Sequence, residues 1–251
     1  MKILAIDSSG LTASVAVVED DNLISEYTVN YKKTHSQTLL PMLDEIKNMT
    51  ELDMSSVDAI AISNGPGSFT GLRIGSATAK GLGLALDKPI IEVSTVEALA
   101  YNLYGSDCYI CPIMDARRDE VYTGVFSFEK VGDRDFLYRC KTIVEPVPMG
   151  IVELVGKLGE LDRPVIFTGD GIDAYKDIIR EKMVVPYTFA VSIYNRQRAG
   201  SVALLAMSKV RDYENGEDGA ISPFISADDS APVYLRLSQA ERERMEKEKN
   251  V

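Results

Sequence analysis

From Ser63 to Lys80 the chain reads S-N-G-P-G-S-F-T-G-L-R-I-G-S-A-T-A-K, a glycine-bracketed turn running directly into a helix. Along that helix Gly71, Gly75, Ala79 and Gly83 fall four residues apart, close to one turn, so they line a single side. A side without side chains is a groove into which another backbone can press. Each glycine inside a helix costs about 1 kcal/mol relative to alanine, and Gly71, Gly75, Gly81 and Gly83 all sit in this one. Packing from outside the helix has to offset that cost. The spacing therefore predicts a packed neighbour along the groove, and a partner helix is the neighbour expected.

With 251 residues, 45% of them hydrophobic, the chain is long enough for one large domain or two small ones with an ordinary core. Its formal net charge of -11 argues against a principal grip on nucleic acid, which needs clustered Lys and Arg. The local basic pairs Arg117 with Arg118 and Arg196 with Arg198 are what remains for an RNA contact. Cys108, Cys111 and Cys140 lack a second pair to complete a zinc site and read as free thiols in apolar surroundings. The opening run Met1–Asp7 is too short for a signal peptide, and no stretch reaches membrane-spanning length. A protein of the reducing cytoplasm is expected.

Alternating apolar runs predict strands at Lys2–Asp7, Ala13–Val18 and Leu23–Val29. A helix follows, opened by a capping box of Thr34 and Gln37, with Leu39, Met42, Leu43, Ile46 and Met49 at helical spacing. A strand at Asp58–Ser63, the glycine helix to about Leu86, and a strand at Pro89–Val93 complete the order β-β-β-α-β-α-β. A related order restarts at Cys108–Met114, continues through Glu120–Phe128 and Phe136–Val144, a helix at Gly150–Leu158 and a strand at Val165–Thr168. Asp7 and Asp115 each close the first strand of their half, consistent with an internal duplication. A long helix is expected at Ala199–Tyr213, a polar loop or linker at Glu214–Pro232, and a solvated helix at Gln239–Val251. This divides the chain into an N-terminal lobe, 1–103, a C-terminal lobe, 104–213, and a linker with tail, 214–251.

Four pieces carry a resemblance: Leu4-Ala5-Ile6-Asp7-Ser8-Ser9, His35-Ser36-Gln37-Thr38-Leu39-Leu40-Pro41, the Gly65–Gly75 loop and helix, and Asp115-Ala116-Arg117-Arg118-Asp119-Glu120-Val121-Tyr122. With these the chain resembles the TsaB family, also called YeaZ, the bacterial partner subunits in threonylcarbamoyladenosine modification of tRNA. Beyond Tyr122 the match rests on length and on Pro232-Val233-Tyr234-Leu235-Arg236. The resemblance implies an α/β, actin-like, sugar-kinase and Hsp70-like (ribonuclease H-like) fold of two related lobes, each a mixed β-sheet flanked by helices. It further implies a noncatalytic scaffold that pairs with the catalytic paralogue TsaD, pairs with itself when alone, and helps recruit the ATPase TsaE. The tRNA would be met mainly through the complex, at the adenosine beside the anticodon in tRNAs reading codons that begin with A. No cofactor and no metal are expected. In TsaD a metal-binding histidine pair, four residues apart, follows the strand after the glycine helix; here Thr95 and Leu99 stand there, and leucine cannot ligate a metal.

The resemblance places partner contacts on the first two helices, at His35, Leu39, Met42, Leu43, Ile46, Gly71, Arg73, Ile74, Gly75, Thr78 and Ala79. The residues alone leave ordinary core packing open for the same stripe. Asp7, Ser8 and Ser9 form a hairpin that in this fold reaches nucleotide phosphates, so a vestigial nucleotide site is an alternative, as is an independent ATP-binding kinase or ATPase. Against a phosphate cradle, Pro66 lacks an N–H and no Gly-Lys-Ser or Gly-Lys-Thr follows. Ala116-Arg117-Arg118 takes the place of glycines in the second hairpin, and Gly169-Asp170-Gly171 reads either as the remnant of an adenosine loop or as a plain turn. His35 lacks an evident nucleophile and orienting partner for work as a base, and a peptidase would need a metal pair or triad that is missing. The cluster Asp115, Arg117, Arg118, Asp119 and Glu120 reads either as an acid-base site or as the solvated surface of a hairpin turn.

Overall fold

The computed structural model describes residues 1–31, 33–132, 137–217 and 219–236. In the first half, β1 (Lys2–Asp7), β2 (Ala13–Glu19) and β3 (Asn22–Val29) form an antiparallel meander. Helix α1 (His35–Thr50) leads to β4 (Ala59–Gly65), helix α2 (Phe69–Leu86) to β5 (Ile90–Ser94), and helix α3 (Thr95–Tyr101) follows. β4 lies parallel to β1, with Leu4 opposite Ile60, and β5 parallel to β4. The second half repeats the plan with β6 (Tyr109–Asp115), β7 (Glu120–Lys130), β8 (Tyr138–Gly150), α4 (Ile151–Leu158), β9 (Val165–Thr168), α5 (Gly171–Lys182) and β10 (Tyr187–Phe189). Helix α6 (Ala199–Glu214) and the short β11 (Phe224–Ile225) close the described chain.

Each sheet is ordered third, second, first, fourth, fifth: β3-β2-β1-β4-β5 with β11 added at the β5 edge, and β8-β7-β6-β9-β10. Sharing this order and these strand directions, the halves are two related lobes, and the architecture is the actin-like, ribonuclease H-like fold.

Strand periodicity explains the layering. Successive side chains point to opposite faces, so in β1 Leu4 and Ile6 join Leu39, Met42, Leu43 and Ile46 of α1, while Ile3 and Ala5 face α3 and α6. The inner face of the second sheet, with Ile110, Met114, Phe126 and Phe128, packs on that same α3–α6 layer. The outer face, with Cys111, Ile113 and Val121, packs on α4 and α5. One helical layer therefore serves both sheets, and small residues such as Ala199, Ala203 and Ala206 let α6 approach closely.

Several expectations differ from this. Helix α6, expected in the C-terminal lobe, packs on β1 and β2 because its apolar face fits their inner side. The segment expected as a linker contributes β11 and buries Ala227 and Ser230. Helices α3 and α5 and the strand β10 were not expected; six of the seven residues of α3 are buried, all but Glu97, so it carries almost no polar face to betray its period. Thr34 is the N-cap of α1, but its side chain makes no capping bond, and the Gln37 N–H donates to the Thr34 carbonyl at 2.9 Å. The helix expected at Gln239–Val251 lies outside the described residues.

Leu39 is 2% exposed. Leu39→Ala should lower the unfolding free energy of the isolated chain by about 2–5 kcal/mol, measured by urea denaturation. A negligible change would contradict its place in the core.

Candidate functional site

The loop before α2 is built to receive the β1–β2 hairpin. Ser68 caps α2, its Oγ accepting from the Gly71 N–H at 3.3 Å, while the Ser68 N–H donates to the Ser9 carbonyl at 2.6 Å. Ser8 then sits in the notch that Gly71 and Gly75 leave open, its Oγ donating to the Gly71 carbonyl at 2.9 Å. A methyl group on Gly71 would collide with the Ser8 carbonyl; one on Gly75 would collide with Ser8 Oγ and would itself lie 3.1 Å from Ile62 Cδ1. At the far end a methyl on Gly83 would lie 3.1 Å from Ala227 Cβ and from the Lys88 carbonyl.

This corrects the reading of the stripe. Gly71, Gly75, Ala79 and Gly83 are buried against their own chain, so they form no open groove for another molecule. Leu39, Met42, Leu43 and Ile46 are likewise core residues, at 2–7% exposed. The cost of Gly71, Gly75 and Gly83 is offset from within, by the first hairpin and the tail.

The other assigned residues divide between interior and rim. His35 is half-buried, with Nε2 donating to the Gly10 carbonyl at 2.9 Å, which makes it a brace for the hairpin. Ile74 is half-buried against the α1 core, and the Thr78 hydroxyl donates to the Ile74 carbonyl at 2.8 Å. Arg73 lies exposed at the rim, 4.1 Å above the Phe69 ring and bonded through Nε to the Tyr234 hydroxyl at 3.2 Å.

The outer face of α1 and α2 is where this part of the molecule meets solvent. Leu40 and Met49 on α1 are 54% and 76% exposed, and Leu84 on α2 is 61% exposed. Ala77, Gly81 and Ala85 are exposed too, and nothing approaches the Cβ position of Gly81 within 4 Å. These three form a second small-residue stripe, also four apart, on the opposite side of the helix. Its spacing was visible in the sequence but did not distinguish it from the inner stripe.

The hairpin residues Asp7, Ser8 and Ser9 are all buried. Asp7 Oδ1 accepts from the Ser9 N–H at 2.9 Å and the Ser9 hydroxyl at 2.7 Å, and burial raises the carboxyl above its ordinary value against the pull of those bonds. The hairpin raised as an alternative, vestigial nucleotide site is thus enclosed, with Asp7 bonded to its own chain. The turn after β6 holds Arg117, Arg118 and Asp119 exposed with φ of 64°, 58° and 58°, where glycine would be the easier residue. Arg117 pairs with Asp115 at 3.1 Å. Gly169 and Gly171 serve the crossing of β6, since a methyl on either would strike the Ile113 carbonyl. Arg196 pairs with Asp173 at 2.8 Å, and Arg198 with Glu26.

Thr95 and Leu99 occupy successive turns of α3, both buried. Among the described residues no group of three His, Cys, Asp or Glu side chains is placed to hold a metal, and no helix is long and apolar enough to cross a membrane. Cys111 is buried, and burial pushes its thiol up to about 12; Cys108 and Cys140 are half-buried free thiols.

Residues 22–243 match the family described as TsaD: tRNA N6-adenosine threonylcarbamoyltransferase. The tRNA threonylcarbamoyladenosine biosynthesis protein TsaB of Bacillus subtilis is 32% identical over 249 residues, 99% of this chain and 100% of that protein. The Haemophilus influenzae protein of the same name is 38% identical over 136 residues, an alignment covering 52% of this chain and 56% of that protein. Among solved structures, YeaZ from Pseudomonas aeruginosa superposes with a TM-score of 0.68 at 26% identity, covering 93% of this chain and 99% of that one.

Two outcomes follow from the geometry. Gly75→Leu should destabilise the isolated chain by about 3 kcal/mol or more, beyond ordinary overpacking, whereas Gly81→Leu should stay within about 0.5 kcal/mol of the parent; thermal and urea unfolding compare them. For Asp7 the sign is set by its raised folded value: the carboxyl's contribution is complete below its unfolded value and is lost as pH rises through the window above it. The stability of Asp7→Asn relative to the parent should therefore improve from acid to neutral pH, and a difference that stays constant or shrinks would contradict the burial argument.

Proposed function

The chain belongs to the TsaB (YeaZ) family, and from that premise we propose that it is the noncatalytic partner subunit of the machinery that makes threonylcarbamoyladenosine in tRNA. It pairs with the catalytic paralogue TsaD through the outer faces of α1 and α2, pairs with a second copy of itself in TsaD's absence, and contributes to recruiting the ATPase TsaE. The complex works in the cytoplasm.

The observation that carries this reading is the uncovered outer side of α2, where Leu84 lies beside Ala77, Gly81 and Ala85, with Leu40 and Met49 exposed on the two flanks of α1. Burying apolar surface yields roughly 25 cal/mol per Å², and small residues at the centre let a facing helix come close enough to bury the larger ones around them. Of the residues first assigned to the contact, Arg73 and Thr78 remain near this face, while the buried ones support it from beneath. Transfer of the threonylcarbamoyl group is TsaD's work: Thr95 and Leu99 occupy the positions expected of the paralogue's histidine pair. With a net charge of -11, the chain meets tRNA mainly through the complex.

Gly81→Leu and Leu84→Glu should each weaken binding to purified TsaD by roughly tenfold or more, about 1.4 kcal/mol, in sedimentation velocity, with folding intact. Unaltered affinity in both would remove this face from the contact. The purified chain by itself should transfer no threonylcarbamoyl to tRNA; transfer without TsaD would overturn the scaffold assignment.

A further inference from the structure

After β11 the chain runs back along α2. Ala227 fills the notch at Gly83, the Asp228 carbonyl accepts from Lys80 Nζ at 3.2 Å, and the Tyr234 ring stacks on Phe69 at 4.3 Å between centroids. The Val233 N–H donates to the Asn64 carbonyl at 2.7 Å, and the Val233 carbonyl crosses directly over Gly65, where no side chain would fit. The root of the segment is firm: the buried Ser230 donates from Oγ to Glu92 Oε1 at 2.7 Å, and the Ala231 N–H to the same oxygen at 2.8 Å.

The last described residue then changes lobe. Arg236 donates from Nη1 to the Ala116 carbonyl at 2.7 Å and pairs through Nη2 with Glu120 at 2.7 Å, at the two ends of the turn between β6 and β7. Between root and end the ribbon is thin. Val233 and Tyr234 are 45% and 39% exposed, and none of residues 231–236 is buried.

We propose that Ser230–Arg236 is a releasable strap: rooted at Glu92, it fastens the N-terminal lobe and the start of α2 to the β6–β7 turn, and detaching Arg236 widens the lobes' range of motion. The physical ground is contrast. The shared α3–α6 layer joins the lobes through fully buried apolar side chains, whereas the strap is held by one charged end, a surface stack and the Val233–Asn64 backbone bond, so it opens locally while both lobes stay folded. The charged end is partly solvated, Arg236 and Glu120 being 18% and 39% exposed, which leaves it open to competition from another carboxylate or to screening by salt. The inference rests on contacts within the chain and is independent of what binds α2.

Hydrogen exchange and spin-label distances on the full chain test it. Labels at Asn48→Cys and Lys176→Cys, both exposed, report one lobe each in a Cys108→Ser, Cys140→Ser background that leaves buried Cys111 in place. Arg236→Ala should speed exchange across residues 231–236 and 116–121 by roughly tenfold, leave β1 and β6 as protected as in the parent, and broaden the interlobe distance distribution. Glu120→Ala removes the ion pair from the other side and should act in the same direction, the Arg236 bond to the Ala116 carbonyl remaining. Unchanged exchange at the strap in both variants would show that Arg236 is no latch. Faster exchange with an unaltered distance distribution would show that the core alone sets the lobe arrangement; either result overturns the proposal.

Discussion

The seating of Ser8 in the notch of α2 is the contact on which the N-terminal lobe depends. A backbone carbonyl and a hydroxyl occupy the space that side chains at Gly71 and Gly75 would fill, and the hydroxyl returns a hydrogen bond to the helix it rests on. This contact fixes the height of α2 above the sheet and closes the β1–β2 hairpin over Asp7. His35 braces the same hairpin from α1 through the Gly10 carbonyl. With the inner side of α2 committed in this way, only its outer side is left for other molecules.

The repeat of one sheet order in both lobes gives the molecule its symmetry, and the α3–α6 layer breaks it. Helix α6 follows the second sheet in sequence yet packs on the first, with Ala199 N–H bonded to Ser14 Oγ at 2.9 Å and Gly200 N–H to Glu26 Oε1 at 2.9 Å. The lobes consequently share a core and do not meet as separately sealed units. The strap adds a second, weaker connection between them, from Glu92 to the turn after β6. The start of α2 is thereby linked, through Phe69 and Tyr234, to a turn of the opposite lobe.

Most of the element order was legible in the sequence. The strands at Lys2–Asp7 and Val165–Thr168 and the two long helices of the first half follow from period and from their turn residues, because those signals are local. The small-residue helix itself was also legible, through its spacing and the family motifs. The side of that helix was not. Gly71-Gly75-Ala79-Gly83 and Ala77-Gly81-Ala85 present the same spacing, and no local property tells which stripe meets a strand and which meets water.

Sequence alone, then, determined the duplicated strand plan, the family and the presence of a helix that tolerates close approach. Tertiary structure decided that Ser8 and Ala227 are what approaches, that α6 belongs to the shared layer, and that the polar tail crosses between lobes. The physical reason is the range of the interactions: periodicity and turn chemistry act over a few neighbouring residues, whereas these contacts join positions such as Ser8 with Gly71 and Arg236 with Ala116, which are 63 and 120 residues apart along the chain.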